Sequence, residues 1–161
     1  MSAFQDHFAP QAGSYAAFRP TYPAALIANV AALAPRRERC WDVGTGSGQA
    51  AILLAGQFSH VDATDASASQ VAHATAHPRV TYHVAPAEQA PLADASVDLV
   101  TVAQALHWFD LAAFYREVQR VAVPGAAINA TVTAQSRLQT PEQFRNIILK
   151  TAPSGAVVRL A

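Results

Sequence analysis

The chain of 161 residues has one cysteine, one lysine and one methionine. The lone Cys40 excludes an intramolecular disulfide framework and a cysteine-rich zinc site. The lone Lys150 lies far from any glycine cluster, which excludes a phosphate-gripping loop ending in Gly-Lys. Charged side chains make up only 14% of the chain, and 11 basic residues balance 11 acidic ones. A general nucleic-acid binder needs a positive surface that displaces counterions, so this balance argues against one. Arg36, Arg37 and Arg39 form the one basic cluster, too small for a polybasic membrane patch. Long apolar runs are also lacking: Val43–Val61 and Val121–Ser136 are uncharged but broken by Gly, Gln, Asn, Thr or Pro, so neither reads as membrane-spanning. The opening MSAFQDHFAPQ has no basic segment followed by an apolar one, the pattern of a secretory signal. The expectation is a cytoplasmic protein with no nucleic-acid or membrane partner.

The residues present alternate between strand and helix patterns. An aromatic arm with Pro and Gly (Phe4, Phe8, Tyr15, Phe18, Tyr22) precedes Pro23, which suits a first helical turn, and Leu26, Ile27, Val30 and Leu33 recur at helical spacing. Cys40–Val43 reads as a strand, Gln49–Gln57 as a helix, His60–Asp65 as a strand and Ser67–Ala76 as an alanine-rich helix. Val80–Val84 and Val97–Ala103 read as strands, the second apolar enough for burial on both faces. Asp110 is placed to cap a helix whose Leu111, Phe114, Tyr115, Val118 and Val121 line one face. Arg116, Glu117 and Arg120 fall away from that stripe, Pro124-Gly125 ends the helix, and Ala126–Thr133 is a fifth strand. This alternation predicts an α/β fold, a parallel sheet with helices on both faces. From Ser136 the pattern weakens, with one helical stretch at Glu142–Lys150 and then a tail. The division expected is a domain over residues 1–135 and a divergent segment over 136–161.

The stretch WDVGTGSGQA sets Gly44, Gly46 and Gly48 between a strand and a helix. Glycine there permits a sharp turn and close approach of a ligand to the backbone, and the helix start offers free amide donors. A dinucleotide fingerprint would need glycine at 49, where Gln49 stands. The spelling D-x-G-x-G-x-G, with Asp42 ahead of the loop, suits a ligand with an ammonium group and no phosphate; S-adenosylmethionine is such a ligand. Asp65, at the end of the next strand, can accept ribose hydroxyls.

With these residues in place, the chain resembles the class I S-adenosylmethionine-dependent methyltransferases. FRPTYPAAL, APAEQAPLADASVDLVTVAQALHWF and FYREVQRV resemble a small-molecule branch that includes trans-aconitate and quinone-pathway methyltransferases, over residues 4–135. The resemblance implies a Rossmann-like sheet. It also implies that Asp42, Gly44, Thr45, Gly46 and Gly48 hold the methionine and ribose portion, with Asp65 on the ribose and Ala66, Ala87 and Glu88 along the adenine. Gln104 would face the sulfonium, Tyr15, Arg19 and Tyr22 would cover the cofactor from the arm, and Tyr22 and Trp108 would approach the acceptor.

Two departures stand out. Ala122-Val123-Pro124-Gly125-Ala126 replaces the Leu-Lys-Pro-Gly-Gly usual in relatives. Relatives also continue into an antiparallel hairpin that completes the sheet and much of the acceptor pocket, and the segment after Ser136 does not resemble it. The C-terminal strands are therefore expected to be incomplete, with strand five an edge open to a second copy or a completing partner. A non-catalytic or truncated cofactor-binding chain is the alternative function.

Methyl transfer needs alignment and a dry site more than a protein nucleophile. His107 suits proton removal from an acceptor, because its ordinary pKa lies near neutrality, and packing at the strand-to-helix turn is its other reading. Trp108 and Phe109 could shield the methyl group or pack in the core, and Arg19 could pair with an acceptor carboxylate or anchor the arm. His73 and His77 lie one helical turn apart without a third ligand, so no metal is expected. No G-x-S-x-G elbow is present, and no Asn-Pro-Pro-Tyr-type stretch marks a nucleic-acid amino methyltransferase. The acceptor atom stays open among oxygen, carbon and carboxylate.

Overall fold

The computed structural model describes residues 22–103 and 105–130, together with the backbone of 131 and of the strand at 157–160. Phe4, Phe8, Tyr15, Phe18, Arg19, Gln104 and the helix expected at Glu142–Lys150 lie outside the described residues. In chain order the elements are α1 (Ala24–Ala31), β1 (Arg39–Val43), α2 (Gln49–Leu54), β2 (His60–Asp65), α3 (Ala68–Ala72), β3 (Val80–Val84), β4 (Val97–Ala103), a 3-10 turn (Leu106–Trp108), α4 (Leu111–Val121), β5 (Ala122–Thr131) and β6 (Val157–Leu160).

The strands pair in the order β3-β2-β1-β4-β5-β6, and each neighbouring pair is parallel. Chain order reverses direction between β1 and β4, which opens a crevice at their carboxyl ends, where ligands of open α/β sheets bind. Burial explains why these strands lie at the centre: residues 97–102 of β4 and 40–43 of β1 are buried without alternation, as a sheet covered on both faces requires. One face packs Trp41, Val100, Val102 and Ile128 against Phe114, Tyr115 and Val118 of α4. The other packs Cys40, Val61, Leu99 and Ala127 against α1 and α2. Trp41 is fully buried, and its indole N–H donates to the Thr64 hydroxyl at 3.0 Å, which satisfies the one polar group that its burial would otherwise strand. Cys40 is fully buried too, and desolvation pushes its thiol well above the ordinary range, so it packs as a small apolar residue.

Several expectations need correction. The helix expected over 67–76 stops at Ala72: Ser67 caps it by accepting from the Gln70 amide, but an alanine run with Val71 as its one large aliphatic residue buries too little to extend it. The α2 helix ends at Leu54, and the chain tightens into turns through Phe58. Pro124-Gly125 does not end a helix. The α4 helix runs directly into β5 at Ala122, and the pair sits inside the strand where the β4–β5 register shifts between Val97 and Leu99; Gly125 takes φ +81 there. Strand five therefore begins at Ala122 rather than at Ala126 and runs to Thr131, beyond which residues 132–133 lie outside the described residues. Nor is it the edge of the sheet, because Val157–Leu160, expected within a tail, pairs with it from Ala127 to Ala130 and takes up the backbone groups that would have been open to a partner. Glu117, expected to point away from the core, is buried. The chain between β3 and β4 folds over that side of α4, and the Ala90 amide donates to Glu117 Oε1 at 2.7 Å.

Candidate functional site

The loop between β1 and α2 turns through three glycines with φ of +67 at Gly44, +58 at Gly46 and +87 at Gly48. Non-glycine residues rarely hold such angles, so this path depends on glycine. The loop is tied down at each step. The Thr45 amide donates to the Thr64 carbonyl at 3.0 Å, the Gly48 amide to the Thr45 carbonyl at 3.0 Å, and the Gly48 carbonyl accepts the Ile52 amide to begin α2. A Cβ on Gly44 would lie 2.5 Å from the Ala105 Cβ and 3.3 Å from the Phe109 ring. Glycine 44 is thus what lets the segment after β4 close over the loop.

Two carboxylates flank the loop. Asp42, at 1% exposure, accepts the Thr45 hydroxyl at 2.6 Å on one oxygen and the Thr101 hydroxyl at 2.8 Å on the other. Thr101 was not singled out from the sequence, although a lone hydroxyl within the apolar VDLVTVA marks it. Asp65 closes β2 and joins three elements. One of its carboxylate oxygens accepts the Gly46 amide at 2.8 Å, the other accepts the Ser67 amide at 2.8 Å, and its carbonyl accepts the Ala85 amide at 3.0 Å. The aspartate and the glycine loop, 19 residues apart, are therefore in direct contact. Ala66, beside Asp65, is half-buried.

The segment after β3 divides. Ala87 is buried among the core residues under α4, whereas Glu88 is half-buried and accepts the Asp110 amide at 2.8 Å. Asp110 in turn caps α4 by accepting the Ala113 amide at 3.1 Å, as its position suggested. Arg120 fixes the following loop by donating to the Ala90 and Leu92 carbonyls and pairing with Asp94 and Glu117. The bond from Arg120 is the main cause that holds the Glu117 carboxyl below its ordinary pKa.

His107, Trp108 and Phe109 do not act as one group. Phe109 turns inward onto Phe114, with ring centres 5.1 Å apart. His107 and Trp108 face outward and contact each other at 4.8 Å, Trp108 with 52% of its surface exposed. Partial burial pushes the His107 imidazole below 6.5, which favours its neutral, proton-accepting form at neutral pH. Tyr22 is half-buried beside Leu26, Ile27, Val30 and Leu54 around an apolar cavity of about 30 Å³ that reaches Thr101 and Asn129. His73 and His77 bond to separate backbone groups, and the described residues contain no cluster of three metal-ligating side chains. Among them, too, no helix is long and apolar enough to cross a membrane.

A family model described as a methyltransferase domain matches residues 41–129, more than half of the chain and all of the loop and carboxylates above. A Dictyostelium discoideum protein assigned to the methyltransferases is 40% identical over 119 residues, which cover 73% of this chain and 45% of that one. The ubiquinone/menaquinone biosynthesis C-methyltransferase of Rubrivivax gelatinosus is 39% identical over 89 residues, 52% of this chain and 35% of that one. A solved structure from Anaeromyxobacter dehalogenans, assigned as a type II methyltransferase, superposes with a TM-score of 0.66 at 52% identity, over 68% of this chain and 46% of the other. A stretch of 39 residues, 24% of the chain, is 51% identical to a toluene efflux pump membrane transporter of Pseudomonas putida; at 4% of the transporter's length it carries nothing about transport. The chain spans about half the length of the curated relatives it matches first. With its parallel sheet reversing at β1 and β4 and its glycine loop bonded to Asp65, the chain belongs to the methyltransferase domain family.

Proposed function

We propose that this chain binds S-adenosylmethionine at the glycine loop and serves the transfer of its methyl group to a small-molecule acceptor. The observation that carries the reading is the contact of Asp65 with the Gly46 amide, which sets a carboxylate over the loop at the carboxyl end of the sheet. The bound cofactor supplies a methyl group on a positively charged sulfur. An ionised carboxylate accepts up to about four hydrogen bonds, so Asp65 can take ribose hydroxyls while it bridges Gly46 and Ser67. Asp42 keeps negative charge beneath the loop, where it favours a cationic ligand. Ala66 and Glu88 border the adenine in this reading, with Ala87 as the packed support under them. Tyr15, Arg19 and Gln104 are assigned to the cofactor, and Tyr22 to the acceptor side, by resemblance alone. Trp108 and His107 face outward at the end of the 3-10 turn, where Trp108 can lie against an acceptor and the neutral His107 can take its proton. A small acceptor accords with the balanced charge and with the match to a quinone-pathway C-methyltransferase.

The experiment is calorimetric titration with S-adenosylmethionine, followed by assay of S-adenosylhomocysteine release with a panel of phenolic, quinone-precursor and carboxylate acceptors. Binding with turnover on one class supports the reading. Binding without turnover on any supports a non-catalytic cofactor-binding chain instead, and absence of binding refutes both.

A further inference from the structure

Tyr82 lies outside the loop and carboxylates described above, yet it reaches the glycine loop from the edge strand β3. It stands on the edge strand β3 opposite Ala63 and packs, half-buried, against the cluster under α1 and α2. Its hydroxyl donates to the Thr75 carbonyl at 2.8 Å, and the Thr75 amide donates to the Ser47 carbonyl at 3.3 Å. The next residue is Gly48, and a Cβ built there would collide with the Tyr82 hydroxyl and lie 2.8 Å from Cε1 and Cζ of the ring. The ring thus fills the space that a side chain at 48 would need, while the segment bonded to its hydroxyl grips the residue before. Burial first, and the charge of Asp42 second, push the phenol pKa up, so it remains a donor at neutral pH.

We propose that Tyr82 is a positioning residue, a strut that fixes the Ser47-Gly48 turn and through it holds the Gly46 amide toward Asp65. Its effect on cofactor affinity rests on the proposed function; the strut itself does not. The absence of a side chain at 48 then reflects a fit to Tyr82 as well as access for a ligand.

A double-mutant cycle of Gly48→Ala and Tyr82→Ala on the full chain, with Tyr82→Phe as the mild variant, tests this first without ligand. Amide exchange at Gly48, whose N–H bonds to Thr45, should rise about tenfold in Tyr82→Phe, the change that ~1.4 kcal/mol of easier local opening gives. Tyr82→Ala should lower the unfolding midpoint in the wild-type background and restore part of the loss in the Gly48→Ala background. Equal drops in both backgrounds, or unchanged exchange in Tyr82→Phe, overturn the strut. Calorimetry then reads the cofactor. Tyr82→Phe should weaken S-adenosylmethionine about three- to tenfold, within the range for loss of one hydrogen bond, and the double variant should bind more tightly than Gly48→Ala alone. Affinity within twofold of wild type in Tyr82→Phe overturns the positioning role. A wild-type chain that binds no cofactor while the cycle is non-additive refutes the proposed function and leaves the strut standing.

Discussion

Asparagine is the usual mild replacement for aspartate, and at position 65 the structure predicts that it is not mild. Each oxygen of the Asp65 carboxylate faces a backbone N–H, Gly46 on one side and Ser67 on the other, both at 2.8 Å. An asparagine offers one oxygen and one NH2 group, so in either orientation a donor confronts a donor. One amide of a buried residue, Gly46 or Ser67, loses its acceptor, at a cost of about 1–3 kcal/mol. For a chain of this size each kcal/mol lowers the unfolding midpoint by about 2–4 °C, so Asp65→Asn should unfold roughly 2–12 °C below wild type without any ligand. Affinity falls further, because the displaced amide belongs to the loop that receives the cofactor. Asp65→Ala should weaken S-adenosylmethionine by one to two orders of magnitude, about 1.4–2.8 kcal/mol for two lost hydroxyl contacts, and Asp65→Asn should weaken it by more than threefold. Thermal unfolding with and without cofactor, together with calorimetry, reads both effects. An asparagine variant with wild-type midpoint and a dissociation constant within threefold of wild type would refute the bridging geometry.

Gly44→Ala should destabilise by about 1–2 kcal/mol from its left-handed backbone and by about 1–3 kcal/mol more from crowding Ala105; urea unfolding measures it, and wild-type stability would contradict the close approach. Asp98 is fully buried and accepts the Glu38 and Arg39 amides at 3.2 and 3.0 Å as well as Arg36, so Asp98→Asn should cost about 1–3 kcal/mol and loosen amide protection at the start of β1. Glu117 titrates below its ordinary 4.5 in the folded chain, so its contribution is present above pH 4.5 and is lost as pH falls through the lowered value. Glu117→Gln should therefore lower stability at neutral pH and flatten the acid slope of the unfolding midpoint, and parallel slopes would count against the Arg120 bond as its cause. If His107 takes a proton from the acceptor, the rate should fall on an acid limb with a midpoint below 6.5. His107→Ala should remove that limb, and a limb that persists unchanged assigns the proton elsewhere.

Strand limits at 60–65, 80–84 and 97–103 were legible because short stretches rich in β-branched residues, bounded by turn residues, are too brief for a helix and read as extended. The ends of α2 and α3 were not, because alanine supports a helix without requiring it, and where such a helix stops depends on what packs beside it. The passage from α4 into β5 was hidden for another reason. Pro-Gly ordinarily ends an element, and only pairing with β4 shows that a register shift absorbs it within a strand. Glu117 was misplaced because helical periodicity records which residues share a face, not which loop will fold across it.

The glycine loop shows the same division at the site itself. Read as a motif, its three glycines serve the same two purposes, a sharp turn and access to a ligand. In the fold, Gly44 answers to Ala105 and Phe109, some sixty residues on, and Gly48 to Tyr82 on the edge strand. Gly46 sits between them and directs its amide to Asp65. Spacing along the chain could identify the loop and pair it with an aspartate at the end of the next strand. It could not tell which glycine is constrained by the protein and which faces the ligand, because that depends on side chains that strand order brings together. A substitution at 44 or 48 should accordingly damage the empty protein as well as its affinity, so a loss of binding there is interpretable only beside the stability of the same variant.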